Sequence, residues 1–236
     1  YDRLITNSLD QVTDTVHYSW NKSLAFFDNV EPRAVAKYQI NANSSVKASY
    51  MRIAQYIHLA SSSSATLPTD IWIPSTSEIR PQMGNQVSLG YFSKIHDGNY
   101  ELSAEVFYKK MDNKLEFLRG IVYNSIFGTL SDNLVEGMAQ SYGLELFLRK
   151  SRGELNGWIS YTLSRTEQKF DEINSGYFYP AKYDRRHDLA LTLNWEINQK
   201  WNCSGIFIYT SGNAFTIPVG RYIIQGNIVN QYGDIN

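Results

Sequence analysis

The sequence is poor in cysteine and histidine. Cys203 is the single cysteine among 236 residues, and there are four histidines. One cysteine excludes an intrachain disulfide framework, and the histidines lack the HxH and HExxH spacings of common metal sites. No GxSxG motif, phosphate-binding loop or dinucleotide fingerprint is present either. We therefore expect no metal, no cofactor and no enzymatic activity.

An excess of charge of one sign is also lacking. The chain has 22 lysines and arginines against 23 aspartates and glutamates, and it contains no basic run. A nucleic-acid-binding protein needs a basic patch to meet the phosphate backbone. The composition therefore predicts no nucleic-acid partner.

Long apolar runs are the third absence. Although 43% of the residues are hydrophobic, no stretch approaches the roughly 18–20 apolar residues that a transmembrane helix needs. This excludes a helical membrane protein. It does not exclude a protein that crosses the membrane with strands.

What the sequence does have is alternation with a period of two from about residue 31 onward. In residues 189–195 (LALTLNW) every odd position is large and apolar. Successive side chains of a strand point to opposite faces, so such stretches predict strands with one apolar and one mixed-polar face. In 201–210 the pattern does not decide which face is apolar, because Phe207 and Tyr209 are as apolar as Ile206 and Ile208. The predicted strands span about 31–40, 45–57, 85–96, 100–112, 137–150, 154–166, 183–197 and 201–213.

The connections between these strands alternate in length. Turn-forming residues cluster in four tight connections, at 41–44, 96–99, 151–153 and 198–200. Long segments separate them, at 58–84, 113–136 and 167–182. Residues 1–30 are expected to form a loop or an irregular segment, and residues 214–236 the start of another loop.

This sidedness favours a transmembrane barrel. Long connections are uncommon in compact soluble domains, whereas outer-membrane barrels have short periplasmic turns and long extracellular loops. Most of the predicted strands also reach the roughly 9–11 residues that cross a bilayer when tilted. The predicted fold is therefore an all-β antiparallel barrel with its tight turns in the periplasm. Aromatic residues flank these turns as in an interfacial girdle: Tyr38, Tyr100, Trp195 and Trp201.

Several blocks of the sequence resemble one known family. They are EPR (31–33), VKASYMR (46–52), QYIHL (55–59), DIWIP (70–74), IRPQ (79–82), YDRRHDL (183–189) and SGNAFTIP (211–218). In this order and spacing they resemble the C-terminal part of the β-barrel of TonB-dependent outer-membrane receptors, in the style of the Bacteroidetes. The resemblance covers about residues 31–218.

The resemblance implies a receptor of the bacterial outer membrane, with a 22-stranded barrel closed by an N-terminal plug. Such receptors take up large or scarce nutrients, such as metal chelates, vitamins or glycans. The eight strands would form about a third of the barrel wall, and the plug and the TonB-contacting box would lie outside this chain. The implied partners are outer-membrane lipid, the TonB energy-transducing complex and an extracellular lipoprotein, with no cofactor.

Aromatic and cationic residues of the long connections are the candidate substrate contacts. Loops on a rigid scaffold often carry binding residues, and aromatic rings stack on sugars or chelates. For the aromatic residues the alternative is packing of loop on loop, and for the arginines it is solvation. The candidates are Trp72, Arg80, Tyr123, Phe127, Tyr177, Tyr179 and Arg221.

Two groups of acidic residues resemble catalytic sites only superficially. Asp171 and Glu172 are adjacent, so their side chains point to opposite sides of an extended chain and form a poor acid–base pair. The charged stretch 184–188 lies at the loop end of a strand. We interpret it as structural, because cross-strand ion pairs stiffen such an end.

Two other functions remain open. A complete eight-stranded outer-membrane barrel, acting as a structural anchor or adhesin, fits the even number of strands. A soluble all-β carbohydrate-binding module would show the same alternation of faces, but not the same sidedness of the loops.

Overall fold

A computed structural model describes residues 2–6, 12–17, 25–60, 71–117, 134–214, 218–224 and 227–232. These residues form fifteen strands and one 3-10 turn at Asn174–Gly176. None of the helical structure in these ranges is long and apolar enough to cross a membrane.

The strands are named in chain order. They are β1 (Asp2–Thr6), β2 (Val12–His17), β3 (Arg33–Asn41), β4 (Ser44–Gln55), β5 (Ile57–Ala60), β6 (Ile71–Pro74), β7 (Gln82–Ile95), β8 (Tyr100–Phe117), β9 (Leu134–Lys150), β10 (Leu155–Lys169), β11 (Tyr179–Pro180), β12 (His187–Asn198), β13 (Trp201–Thr210), β14 (Pro218–Ile224) and β15 (Asn227–Tyr232).

Eight long strands form one antiparallel meander. The order across the sheet is β3-β4-β7-β8-β9-β10-β12-β13, with the short β11 added beside β10. Three further hairpins, β1–β2, β5–β6 and β14–β15, form separate two-stranded sheets. The all-β antiparallel fold predicted from the alternation is confirmed. Within the described strands the sheet is open, because β3 and β13 occupy its two edges and do not pair with each other.

Four strands extend at least three residues further than the alternation predicted. β7 begins at Gln82, β8 continues to Phe117, β9 begins at Leu134 and β10 continues to Lys169. The ladder between β8 and β9 persists past a register shift at Asn113, which has a positive φ of 56°. Pairing continues there because it satisfies backbone N–H and C=O groups whatever the side-chain pattern is.

Strand β12 begins at His187, four residues later than the predicted start at 183. The carboxylate of the buried Asp184 accepts a hydrogen bond from the Thr166 amide at 2.7 Å, and the Asp184 amide donates to the Ala181 carbonyl at 2.8 Å. These contacts hold the segment in a turn, and Arg186 forms an ion pair with the same carboxylate at 3.4 Å. The structure therefore gives this charged stretch a structural role.

The segments expected to be loops contain strands of their own. β1 and β2 lie within residues 1–30, β5 and β6 within 58–84, and the β14–β15 hairpin within 214–236. A hairpin closes its own hydrogen bonds between two neighbouring segments, so it needs no place in the main sheet. The β1–β2 hairpin lies outside the main sheet, and the assignment of residues 1–30 to a loop stays a prediction.

Register assigns each residue of the main sheet to one of two faces. Residues directly opposite each other on neighbouring strands share a face. Phe207 lies opposite Leu191 and Tyr209 opposite Leu189, so both belong to the apolar face, whereas Ile206 lies opposite Thr192. This resolves the competing alternation in 201–210. We call the face of Leu189 and Leu191 the apolar face and the other the polar face.

Most of the buried apolar residues lie in two small clusters rather than along the middle of the sheet. One cluster comprises Val135, Phe170, Ile173 and Tyr179. The other comprises Ile73, Ile79 and Leu115, with Leu134 packed against it. Large side chains in the middle of the apolar face are exposed instead, as in Leu89 and Val106. A sheet that exposes such a face suits a wall in lipid better than a layer of a soluble domain.

Candidate ligand-binding rim

The candidate residues Trp72, Arg80, Tyr177 and Tyr179 lie at one end of the main sheet. Tight turns join β3 to β4, β7 to β8, β9 to β10 and β12 to β13 at the opposite end. Because neighbouring strands are antiparallel, the long connections all leave from the same edge, which we call the rim. Tyr123 and Phe127 belong to one of these connections but lie outside the described residues.

Arg80 is held at the rim by a carboxylate. Its Nη2 and Nε atoms lie 2.6 and 2.9 Å from Oε2 of Glu136, and its backbone amide donates to Oε1 at 3.0 Å. Three donors on one carboxylate tie the segment before β7 to the start of β9. The Arg80 side chain is still 66% exposed, so it combines a structural contact with an accessible surface.

Tyr177 and Tyr179 have opposite environments although they are two residues apart. Tyr179 is 2% exposed, its ring centroid lies 6.5 Å from that of Phe170, and its hydroxyl accepts a hydrogen bond from Gln168 at 3.1 Å. Tyr177 is 73% exposed. The connection between β10 and β12 therefore buries one tyrosine and presents the other.

Trp72 is the exposed aromatic residue of the β5–β6 hairpin. Its neighbour Ile73 is buried against Ile79 and Leu115, whereas Trp72 is 65% exposed. Adjacent residues of a strand point to opposite sides. Packing of Ile73 thus fixes the hairpin while leaving the Trp72 ring accessible.

Arg221 belongs to the separate β14–β15 hairpin, where it is exposed and lies opposite Asn230. The structure thus brings Trp72, Arg80, Tyr177 and Tyr179 to the rim, and it places Arg221 on a hairpin of its own. No ion pair of Arg221 is found within the described ranges.

A cavity of about 250 Å³ lies at the rim beside the β5–β6 hairpin. His58 and Lys114 line it. His58 is buried, its Nε2 lies 3.1 Å from the Ser75 hydroxyl, and burial lowers its pKa, although the Glu136 carboxylate opposes this. Burial also lowers the pKa of Lys114, against the effect of Glu116. Burial at this cavity therefore disfavours the charged forms of His58 and Lys114.

Like charges face each other on the polar face. Lys37 lies directly opposite Lys47, and Glu105 directly opposite Glu145. Like charges at opposite positions are destabilising in a sheet unless water or a counter-charge compensates them. None of the four forms an ion pair in the described part of the chain, whereas the nearby Glu101 lies 3.8 Å from Lys94 and 3.7 Å from Arg149. The polar face is thus built for water or a charged partner, not for lipid.

Among the described residues, no group of three or more histidine, cysteine, aspartate or glutamate side chains is placed to hold a metal ion. Cys203 is exposed on β13 and has no thiol partner there.

Sequence reasoning missed the partners that hold the rim together. Glu136 and Gln168 carry no motif, and their contacts span 56 and 11 residues of sequence. The structure also gives His58 a partner, because its Nε2 lies 3.1 Å from the Ser75 hydroxyl. Its apolar neighbours Ile57 and Leu59 were the available signal, because they indicate a strand with His58 on its opposite face.

Comparison with known families decides what kind of protein carries this rim. A family model described as TonB dependent receptor-like, beta-barrel matches residues 1–234. The chain belongs to this family. The match extends the resemblance beyond residues 31–218 at both ends. As a barrel segment of a TonB-dependent receptor, the chain is part of the bacterial outer membrane. The match is to the family as a whole, so the Bacteroidetes type stays a prediction.

Solved structures share this fold at low sequence identity. The alcaligin outer-membrane receptor FauA from Bordetella pertussis is 20% identical, with a TM-score of 0.53 over 77% of this chain and 29% of its own. FpvA of Pseudomonas aeruginosa, bound to heterologous pyoverdines, is 18% identical, with a TM-score of 0.55 over 80% of this chain and 23% of its own. The ferric-catecholate import receptor Fiu from Escherichia coli K12 is 17% identical, with a TM-score of 0.53 over 77% and 25%.

Sequence identities this low show similarity of the fold alone. The chain spans about a quarter of the length of each of these receptors. No curated protein sequence matches the chain.

Proposed function

We propose that the chain forms part of the wall of an energy-coupled transporter that takes up a large or scarce nutrient. The observation that carries this proposal is the match of the TonB-dependent receptor barrel model to residues 1–234. In this function the polar face lines the lumen, the apolar face contacts outer-membrane lipid, and the rim lies outside the cell. The protein binds and passes its substrate and catalyses no reaction on it.

The two faces of the sheet support this arrangement. On β8 the apolar face runs from Tyr100 to Tyr108 and includes Leu102, Ala104 and Val106. A strand segment of this length is long enough to cross a bilayer at a tilt. The unpaired charges of the polar face, Lys37, Lys47, Glu105 and Glu145, suit an aqueous lumen or a charged plug.

A metal chelate is the first of the three substrate classes to test. The three similar structures are described as receptors for alcaligin, pyoverdines and a ferric catecholate. Vitamins and glycans remain the other two classes. TonB, acting through a plug, supplies the energy, and an extracellular lipoprotein is a further proposed partner.

Exposed residues of the rim and of the β14–β15 hairpin make the proposed substrate contacts. Trp72 and Tyr177 offer aromatic rings, and Arg221 offers a guanidinium to an anionic substrate. Tyr123 and Phe127 belong to the same proposal. Arg80 contributes its accessible side, while its other side is held by Glu136. Tyr179 acts through packing, because its ring is buried under the connection that presents Tyr177.

Uptake by cells tests this function. The full-length protein is expressed in a Gram-negative host that lacks competing receptors. Uptake of radiolabelled ferric chelates, cobalamin and oligosaccharides is then measured with and without TonB. We expect TonB-dependent uptake of one of these classes, with a ferric chelate first. Uptake that is unchanged when TonB is deleted, or no uptake of any class, would contradict the proposal.

A matched pair of tyrosines tests the rim within the same assay. Tyr177 and Tyr38 are both 73% exposed, but Tyr38 lies at the tight-turn end of the sheet. Tyr177→Ala should weaken substrate binding about fivefold to tenfold, which corresponds to the loss of one aromatic contact. Tyr38→Ala should leave binding unchanged. Equal effects of the two substitutions would contradict the proposal that rim residues contact the substrate.

The two alternatives fit less well. A complete eight-stranded barrel requires β3 to pair with β13, and these strands lie at opposite edges of the sheet. A soluble carbohydrate-binding module does not belong to an outer-membrane receptor family.

A further inference from the structure

Two lysines that lie far apart in the sequence line the same cavity at the rim. This is the cavity of about 250 Å³ beside the β5–β6 hairpin, where Lys114 of β8 meets Lys182 of the connection between β11 and β12. We infer that this cavity binds an oxyanion group of the transported substrate, a carboxylate or a phosphate, between the two lysines. The inference rests on the proposed function, in which the substrate passes the rim on its way to the lumen.

A bulge in β8 places Lys114 on the polar face. Up to residue 112 the even-numbered residues of this strand lie on the apolar face. The register then shifts at Asn113, which has a positive φ and whose side-chain amide donates to the Pro81 carbonyl at 2.9 Å. Lys114 consequently lies opposite Gly137, on the polar face. Without the extra residue of the bulge, Lys114 would lie on the apolar face.

Lys182 is held in position by its neighbours in the connection. Ala181 is buried, and its amide donates to the Thr166 carbonyl at 2.9 Å. On the other side, the Asp184 carboxylate accepts a hydrogen bond from the Thr166 amide at 2.7 Å. The Lys182 ammonium lies 5.3 Å from the centre of the Tyr183 ring, within the range of a cation–π attraction. Lys182 is therefore preorganised beside the cavity, which lowers the entropy lost when it binds an anion.

Positive charge exceeds negative charge in the lining of the cavity. Among the described lining residues Glu116 is the single carboxylate, against two lysines, and it lies 3.5 Å from the Gln168 amide. Burial lowers the pKa of Lys114, Glu116 opposes this effect, and the charge of Lys182 adds to it. Lys114 forms no ion pair within the described part of the chain. An anion between the two ammonium groups offsets both the cost of burial and the repulsion between them.

The size of the cavity limits it to one functional group. Pockets for drug-sized ligands measure about 300–1,000 Å³, and this cavity is smaller. Gln55 and Gln82 also line it, and they lie opposite each other on the polar face. Glutamine amides can donate hydrogen bonds to an oxyanion without adding charge. Two ammonium groups and two amides match a carboxylate or phosphate group, not a whole chelate.

The surroundings of the cavity favour a substrate over a free ion as the source of this group. Leu59 lines the cavity and lies directly opposite Trp72 in the β5–β6 hairpin. Residues opposite each other share a face. A substrate that contacts the exposed Trp72 ring therefore extends along this face to the cavity. A free ion would gain the ionic contacts but not the contact with the ring.

Titration calorimetry of the purified full-length protein in neutral detergent tests the binding. Citrate, inorganic phosphate and sodium chloride are titrated separately at equal ionic strength. At least one of the two oxyanions should bind at a single site at millimolar concentration, and chloride should not bind. No binding of either oxyanion, or equal binding of chloride, would overturn the inference.

Four variants assign the binding to the cavity. Lys114→Gln and Lys182→Gln should each weaken it about fivefold to tenfold, as expected for the loss of one charge-assisted hydrogen bond at a partly exposed site. Lys114→Arg keeps the charge and should retain most of the affinity. Lys109→Gln is the matched control, because it removes a cation from the polar face of the same strand, opposite Gln86 and outside the cavity. Unchanged affinity in both cavity variants, or an equal loss in Lys109→Gln, would refute the site.

A competition experiment in cells tests the substrate as the source. The oxyanion that binds should inhibit substrate uptake competitively, and binding without inhibition would assign the cavity to a free ion and overturn the substrate source. The two proposals fail separately, because calorimetry does not require TonB. Oxyanion binding without any uptake would contradict the transport proposal alone, and uptake without oxyanion binding would contradict this inference alone.

Discussion

At the residue scale, the rim depends on which side chains are buried and which are presented. Tyr179 belongs to the cluster with Phe170 and Ile173, and Gln168 donates to its hydroxyl. Tyr177 has no part in that cluster. Identical residue types two positions apart therefore contribute differently, one to the stability of the connection and the other to its surface.

Hydrogen exchange should separate these two roles. Tyr179→Ala should remove about 3 kcal/mol of local stability, since truncation of a buried aromatic ring leaves a cavity. Exchange in peptides covering 170–181 should then accelerate by roughly two orders of magnitude. Tyr177→Ala should leave exchange in these peptides unchanged. Equal acceleration in the two variants, measured by mass spectrometry, would contradict the assignment.

Arg80 shows how one residue combines structure with accessibility. Its three contacts to Glu136 join two segments that are 56 residues apart in sequence. An exposed ion pair contributes little to stability by itself, about 0–1 kcal/mol. The Arg80–Glu136 pair instead has a positioning role, because it fixes the direction in which the segment before β7 leaves the rim.

At the element scale, close packing of strands constrains the apolar face at one glycine in particular. Gly157 of β10 has a φ of 150°, and a Cβ atom there would lie 2.1 Å from the Thr192 carbonyl oxygen. Gly205 of β13 is its natural control. Both glycines lie opposite Leu193, one on each side of β12, and a Cβ atom on Gly205 would meet nothing within 4 Å.

The two glycines should therefore respond differently to alanine. Gly157→Ala should destabilise the barrel by about 2 kcal/mol, because the backbone must shift to relieve the overlap. Gly205→Ala should stay within about 0.5 kcal/mol of the parent protein. Urea titration of the full-length protein in lipid, followed by heat-modifiable migration in gels, measures both. A larger loss for Gly205→Ala would contradict the register described here.

Packing between elements also fixes the position of the β5–β6 hairpin at the rim. β5–β6 is held to the main sheet by Ile73 and Ile79 packed on Leu115. A connection anchored in this way presents its remaining residues in fixed positions, as a binding surface requires.

At the scale of the whole molecule, the main sheet is an open wall with two unlike faces and two unlike ends. Among the described strands, its edge strands β3 and β13 each pair on one side only. In lipid, backbone groups cannot remain unpaired, so further strands must complete the barrel. This agrees with the match to about a quarter of the length of solved receptors.

Cysteine labelling of intact cells tests the orientation of the wall. Cys203→Ser provides the background in the full-length protein. Ser77→Cys, in the connection before β7, should react with a membrane-impermeant maleimide from outside. Gln199→Cys, in the tight turn between β12 and β13, should react only after the outer membrane is permeabilised. Both positions are exposed, so access to the reagent is the only difference expected. The reverse pattern would invert the proposed orientation.

The sequence by itself determined the antiparallel strands, their two faces and the alternation of short and long connections. These follow from side-chain alternation and turn chemistry, which are properties of neighbouring residues. It also identified Trp72 and Tyr177 as candidate substrate contacts, because their positions lie in long connections. The family follows from sequence as well, since the blocks from 31 to 218 lie within the matched range.

Only the tertiary structure decided the contacts between strands and across connections. It assigned Phe207 and Tyr209 to the apolar face through their partners on β12, buried Tyr179 under its own connection, and joined Arg80 to Glu136. It also brought Lys114 and Lys182 to one cavity. These pairings depend on register between segments far apart in the chain. A shift of one residue would exchange the faces, and alternation alone cannot specify which residue lies opposite which.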